Sequence, residues 1–530
     1  MSTETVGPDG VHRTRLFAGT CLALVPTGAS FALLANILGQ LKAEFILTNA
    51  QVGMIAGTSL GSMAIALLVL GPALEGYGFK RGMMMAFLGH FLGVTTFLSA
   101  SLFTGNPEAA FWVLMLGAVF LAIGNGMIEV TGNPLTAALY PEDKTTKLNW
   151  FHAFFPLGIT AGAVLGYLMT LGGTSGIGHW TAQLSLIYIP VIIYGILALP
   201  QAFPKTETAE AGIPYMELVR YTFTHPLFLL LLCMKMITVS VELGPMRWVE
   251  VFLGSLGIPG ILVVAWISII MVVLRFLSGH FVERISPPGM ILFGAICTGL
   301  SLFLLSFVTV TWMAFVVATL FGMGVAFFFP TMLGIVSERM PRTGSLGIVL
   351  TAGVGLLVAG FVGTPAMGFI ADRHISGYMQ TETPQQPIEI LESAQAALPA
   401  LIAQAEGATL EQVADLGYRA SDANALLEAI NGALADYREQ GEIRGDAVPN
   451  ALRGLLGLGV PPALSAEVES AAALLTPAEA AGFRQSFRWV SPLTLILIIV
   501  FGAMYINDKR SGGYRAERLT KEEVLESPEL

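Results

Sequence analysis

Long apolar stretches alternate with short polar ones along almost the whole chain. Twelve of these stretches reach or approach the ~20 residues that a helix needs to cross a bilayer. They fall at about 15–38, 51–73, 82–103, 110–138, 149–171, 180–202, 226–252, 258–281, 289–309, 311–336, 346–371 and 489–507. The gaps carry turn chemistry, as in Gly105-Asn106-Pro107 and Pro287-Pro288-Gly289. The first run follows a polar segment, Met1 to Thr14, and is too long for a signal-peptide core, so it reads as the first transmembrane helix. The pattern predicts an all-α membrane protein with 12 transmembrane helices.

Composition agrees with this reading and removes other classes. With 54% hydrophobic and only 12% charged residues, the chain cannot clothe a soluble globule of 530 residues. A net charge of −10 speaks against a nucleic-acid partner and leaves the lipid bilayer as the surroundings. Cys21, Cys233 and Cys297 lie singly in apolar runs and read as packing residues, not as a metal or disulfide set. No H-E-x-x-H motif or clustered metal-ligand set falls at membrane depth, which speaks against an intramembrane enzyme. Lys and Arg concentrate in alternate short loops, with Lys80, Arg81, Lys144, Lys147, Arg284, Arg339 and a basic tail on one side. The opposite short loops hold only Lys42 and Arg247, so both termini are expected in the cytoplasm of a cell (inner) membrane protein.

The chain also repeats itself. Gly71, Glu75, Lys80 and Arg81 follow the second apolar run, and Gly279, Glu283 and Arg284 follow the eighth in the same order. Gly124, Gly126 and Pro134 in the fourth run are echoed by Gly322, Gly324 and Pro330 in the tenth. Two six-helix halves follow: 1–202, then a polar linker 203–224, then 225–373 completed by 489–507, with 508–530 as a tail. Parallel halves of this kind place a solute between them near the membrane midplane. The paired loops resemble, with Glu in place of Asp, the G-x-x-x-D-R-x-G-[RK] motif of the major facilitator superfamily. The runs around Glu129, Asn133 and Pro134 and around Leu148 and Asn149, with Glu242, Gly244 and Trp248, are similar to the fucose–galactose–glucose permease branch. That resemblance implies a major facilitator fold and symport of a small-molecule substrate, a sugar.

Ionisable and amide groups inside the bilayer are costly and therefore mark candidate sites. Asn125, Glu129 and Asn133 stand at i, i+4 and i+8 on one helical face. Such a wall offers donors and acceptors to sugar hydroxyls; its alternative use is to glue two helices together. Asn36 and Gln40 form a second i, i+4 pair. The resembled family's proton-coupled members carry an Asp near the end of helix 1, but here no acid lies between Arg15 and Lys42. Glu129 is then the ion-coupling candidate, exchanging a proton or holding sodium; no other cofactor is implied. Asn149, His152, Glu242 and Trp248 complete the expected substrate-binding set. Lys235 and Glu242 share a face, and Glu242 is expected to meet Arg247, Lys235 or a group across the cavity. Glu75, Lys80, Arg81, Glu283 and Arg284 are expected to latch helix ends and so to gate.

Residues 374–488 stand apart. They hold 15 acids, six arginines and no lysine, a net charge of −9, so nearly all the chain's acidity lies in this extracytoplasmic insert. Thr409–Gln412 and Thr476–Glu479 read as capping boxes, and Leu426, Ile430 and Leu434 form an apolar stripe, which predicts a small helical domain. With five aromatics and no Trp it lacks the platforms of a sugar-binding module, and a lid, packing element or docking surface for an extracytoplasmic protein partner fits better. The functional expectation is a secondary transporter of a monosaccharide-like solute working by alternating access. Its rivals are a carrier of another polar or amphipathic solute, including efflux, and a transporter-like sensor that signals through the insert.

Overall fold

The computed structural model describes residues 10–517, apart from Ile46, Thr48, Pro259, Leu410, Glu411, Ala414, Asp415, Gly417, Gly459 and Val460. Every regular element among the described residues is helical. The first half comprises α1 (Arg13–Leu22, continuing past a bend as Val25–Glu44), α2 (Asn49–Leu70), α3 (Leu74–Ser99), α4 (Pro107–Leu139), α5 (Lys144–Thr170) and α6 (Trp180–Ser185 and Tyr188–Ala198). The second comprises α7 (Pro226–Ser255), α8 (Gly260–Phe276), α9 (Ser278–Leu305), α10 (Thr311–Val325 and Phe328–Arg339) and α11 (Gly344–Val358, then a π turn, then Thr364–Glu382). Four helices of the insert follow: α12 (Gln386–Ala405), α13 (Ala420–Gln440), α14 (Ala447–Gly457) and α15 (Ser465–Val490). The last apolar run is α16 (Leu493–Arg510).

Ten helical stretches among the described residues are long and apolar enough to cross a membrane. One of them, Gln51–Phe103, contains both α2 and α3, and the shorter α8 is also apolar. All twelve apolar segments therefore lie on helices of a multi-pass membrane protein.

The repeat is visible in the backbone. Gly78 sits at φ 76°, ψ 165° seven residues after Gly71, and Ser286 sits at φ 57°, ψ 164° seven residues after Gly279. The same turn thus reverses the chain in both halves, with glycine freedom in one copy and a strained serine in the other. Helix packing repeats as well. A Cβ on Gly124 would meet the backbone of Gly89 and His90, and one on Gly324 would meet Thr298 and the carbonyl of Gly294. Helices α3 and α4, like α9 and α10, touch backbone to backbone.

The insert is not a separate body. Its buried side chains, among them Leu426, Ile430, Leu434, Leu452 and Leu474, belong to the same apolar core as the second half. The expected boundaries at 373/374 and 488/489 fall inside helices, because α11 and α15 run on from the membrane as a packed pair. Gly482 lies against the Ala371 carbonyl, and the Ser486 hydroxyl donates to the Met367 carbonyl at 2.8 Å.

One capping box is present and the other is not. Thr409 and Gln412 bond reciprocally, with Thr409 N–H to Gln412 Oε1 at 2.8 Å and Gln412 N–H to Thr409 Oγ1 at 3.3 Å. Thr476–Glu479 instead lies inside α15, where the Thr476 hydroxyl donates back to the Ala472 carbonyl at 2.8 Å. Leu474, Leu475, Ala478 and Phe483 form one buried face across Pro477, and that packing outweighs the local stop signal. A trimmed chain with 386–464 replaced by a short Gly-Ser linker is expected to remain monodisperse in detergent. Removal of 374–488, which severs α11 and α15, is expected to aggregate on size-exclusion chromatography.

Candidate functional site

The site is assembled where helices from both halves bring polar groups into the apolar interior. On α4, Glu129 and Asn133 are one turn apart, and Asn133 Nδ2 donates to Glu129 Oε2 at 2.7 Å and to the Glu129 carbonyl at 2.8 Å. From α5, His152 Nε2 lies 2.7 Å from Asn133 Oδ1. An amide oxygen can only accept, so this tautomer carries its proton on Nε2. The same nitrogen is 3.9 Å from Glu129 Oε2. All three side chains are buried.

The second half contributes Lys235 and Glu242 from α7 and Arg275 from the end of α8, all buried. Arg275 explains two prolines. Pro156 in α5 and Pro330 in α10 lack an N–H, so the carbonyls four residues earlier, His152 and Ala326, lose their helical partners. Arg275 satisfies both, with Nη1 donating to the His152 carbonyl at 2.8 Å and Nε to the Ala326 carbonyl at 2.6 Å. Its Nη2 also stands 3.7 Å from Glu242 Oε1. One guanidinium therefore joins α5 of the first half to α7, α8 and α10 of the second. Its planar fork reaches acceptors on three different helices, which the compact ammonium of a lysine could not span. Glu242 meets Arg275, and not the Arg247 or Lys235 that sequence spacing offered. Lys235 Nζ donates to the Phe329 carbonyl at 3.1 Å and lies 3.4 Å from the Phe329 ring centroid.

Other expected site residues are placed elsewhere. Asn125 joins a chain within the first half: its Oδ1 lies 3.0 Å from His90 Nε2, His90 Nδ1 lies 2.9 Å from the Tyr194 hydroxyl, and Asn125 Nδ2 donates to Ser30. Asn36 donates to Gln183 Oε1 at 2.6 Å, and Gln40 to the Gly178 carbonyl at 3.0 Å, so this pair ties α1 to α6 and the turn before it. Asn149 spans the halves through Thr331 Oγ1 at 3.1 Å. Trp248 donates to the Thr364 carbonyl at 3.1 Å and its ring lies tilted against Phe483 with centroids 5.0 Å apart, packed against α11 and α15.

The end of the molecule that carries the basic loops is sealed. Glu75 accepts from Thr206, from Thr208 at 2.8 Å and from Ser345 at 2.6 Å, which binds the first half to the linker and to α11. Lys144 reaches Glu207 at 2.8 Å and the Ser337 carbonyl at 3.2 Å. Glu338 accepts the Thr145 N–H at 2.8 Å and the Tyr514 hydroxyl at 2.6 Å, while Arg339 pairs with Asp508. Burial pushes the Tyr514 phenol well above its usual range, so it remains a donor throughout the physiological pH range. Of the expected latch residues, Glu75 makes these contacts. Lys80, Arg81, Glu283 and Arg284 are solvent-exposed and make no ion pair among the described residues.

Gly334 permits the seal, since a Cβ there would stand 2.2 Å from Thr145 Oγ1 and 3.0 Å from Thr145 Cα. Gly334→Ala is expected to disfavour this closed form by about 1–3 kcal/mol. A cysteine placed at Ser345 should then be alkylated faster, and an unchanged rate would show that the contact does not hold the seal.

Two six-helix halves, internally repeated and joined across buried charge, have the architecture of a membrane carrier. The chain belongs to the Major Facilitator Superfamily, whose family model matches residues 20–364. It is 28% identical over 187 residues to a cis,cis-muconate transport protein of Acinetobacter baylyi, covering 35% of this chain and 42% of that protein. It is 26% identical over 208 residues to a glucose/galactose transporter of Brucella abortus, covering 37% of this chain and 48% of that protein. The chain thus spans less than half the length of these curated relatives. Among solved structures, the superfamily transporter FucP in the outward conformation superposes with a TM-score of 0.54 at 19% identity, covering 67% of this chain and 92% of the other. The proton:xylose symporter XylE bound to 6-bromo-6-deoxy-D-glucose superposes with a TM-score of 0.53 at 14% identity, covering 67% and 88%. At these identities the superpositions speak to the fold.

Proposed function

We propose that the chain is a secondary active transporter that moves a monosaccharide-like solute by alternating access, coupled to a cation, with Glu129 as the coupling group. The observation that carries this reading is the Glu129–Asn133–His152 cluster and its tie, through Arg275, to the opposite half. A carboxylate that shares its partners with a group gripping the other half can register the rocking of one half against the other. Proton uptake at Glu129 would weaken its bond to Asn133, free Asn133 and His152 for solute hydroxyls, and loosen the contact that keeps the halves together. In this reading the basic end is cytoplasmic, the protein lies in the cell (inner) membrane, and the conformation described is closed to the cytoplasm. The glucose/galactose transporters among its relatives favour a sugar, and the muconate transport protein favours the second reading, another polar solute. The test is uptake into proteoliposomes under imposed gradients. An inward proton gradient should drive accumulation and a sodium gradient at equal pH should not; accumulation under sodium alone would assign Glu129 to a sodium site, and binding without flux would make the protein a sensor.

A further inference from the structure

Lys235 is the least explained charge among the described residues. Its side chain is 0% exposed, its stem lies along Gly355 of α11, and its ammonium makes one hydrogen bond, to the Phe329 carbonyl. No carboxylate oxygen lies within ion-pair distance of it among the described residues. An ammonium carries three donors; one serves that carbonyl and one side rests on the Phe329 ring 3.4 Å away, so a donor stays open, and a buried cation with no directly bonded carboxylate is costly. Glu242 presents the complementary defect: it is buried and its Oε2 has no hydrogen-bond partner among the described residues. The two defects lie one heptad apart on the same face of α7.

The charges around them count in whole units. Glu129 and Glu242 face Lys235 and Arg275, with His152 as the remaining titratable group in contact with the cluster. With Lys235 and Arg275 protonated, both carboxylates ionised and His152 neutral, the cluster sums to zero. Once Glu129 takes up its coupling proton, the sum is one positive charge inside a low-dielectric interior. A neutral hexose would leave that charge uncompensated, whereas a solute carrying one carboxylate cancels it and fills the open donor of Lys235.

We infer that the transported solute is a monosaccharide acid, a uronate or aldonate, whose carboxylate is bound by Lys235 and one of whose hydroxyls donates to Glu242 Oε2. This deepens the transport reading above and rests on it. The cycle then carries one proton and one monoanion together and moves no net charge.

The experiment uses the full-length protein in proteoliposomes, with labelled D-glucuronate, D-gluconate, D-glucose and D-galactose in entrance counterflow. The acids are expected to overshoot, and their proton-driven uptake is expected to produce no current on a solid-supported membrane. Lys235→Gln should lower acid counterflow roughly tenfold to a hundredfold, the loss expected for a hydrogen bond to a charged group. Counterflow of the neutral hexoses alone overturns the inference and leaves sugar transport standing; counterflow of none of the four overturns both. Wild-type acid transport in a well-folded Lys235→Gln protein overturns it too. Should that variant fail to fold, the wild-type current decides: an inward positive current on adding acid contradicts the paired carboxylate.

Discussion

Glu129→Gln is expected to abolish accumulation of solute against a gradient while sparing exchange at equal concentrations on both sides. Glutamine keeps the length and one carbonyl acceptor, so Asn133 Nδ2 retains a partner where it now bonds Glu129 Oε2 at 2.7 Å. What is lost is the ability to take up and release a proton or bind a cation. The ratio of internal to external solute under an inward proton gradient should fall to one, and counterflow should persist. Retained accumulation would remove Glu129 from the coupling step. Loss of both activities would make it a solute ligand or a structural group, and His152→Gln would then be the next variant to compare.

The second large effect is structural. Arg275→Met leaves the proline-freed carbonyls of His152 and Ala326 without their donor and leaves Glu242 buried without its counter-charge. Breaking a buried pair by removing one partner costs about 3–5 kcal/mol, so the single variant should melt well below the wild type in detergent. Glu242→Gln added to it removes the stranded charge, and Pro330→Ala restores an N–H to the Ala326 carbonyl. Each should recover part of the loss, and the triple variant should recover most. If Pro330→Ala gives no recovery in the Arg275→Met background, the orphaned carbonyl is not what Arg275 serves in α10. Arg275→Lys should behave like the methionine variant in stability, since a single ammonium cannot reach both carbonyls.

The parts legible in the sequence were those set by local period and length. Apolar runs of membrane length gave the helices, and the Gly71/Gly279 loops gave two halves whose turns share one backbone geometry at Gly78 and Ser286. The i, i+4 spacing put Glu129 and Asn133 on one face, where they do bond. Arg275 went unseen because it sits near the end of an apolar run, where an arginine usually reaches out to the headgroups. Its signal was present all the same: Pro156 and Pro330 each free a buried carbonyl, and something must satisfy them. The seal at the basic end was legible only at Glu75. Its other members, Glu338 with Thr145 and Tyr514, are brought together from distant parts of the chain by the packing of the two halves. Asn36, Gln40 and Trp248 show where sequence leaves two uses open: in this structure their polar atoms bond neighbouring parts of the chain.

The most direct measurement of the central claim is entrance counterflow in proteoliposomes without any ion gradient, using a panel of labelled neutral and acidic monosaccharides. A carrier that alternates between two closed ends should transiently concentrate at least one labelled solute in vesicles preloaded with the same unlabelled compound, and the overshoot should vanish when the preload is omitted. Binding of a monosaccharide with no overshoot for any member of the panel would contradict alternating-access transport of this solute class.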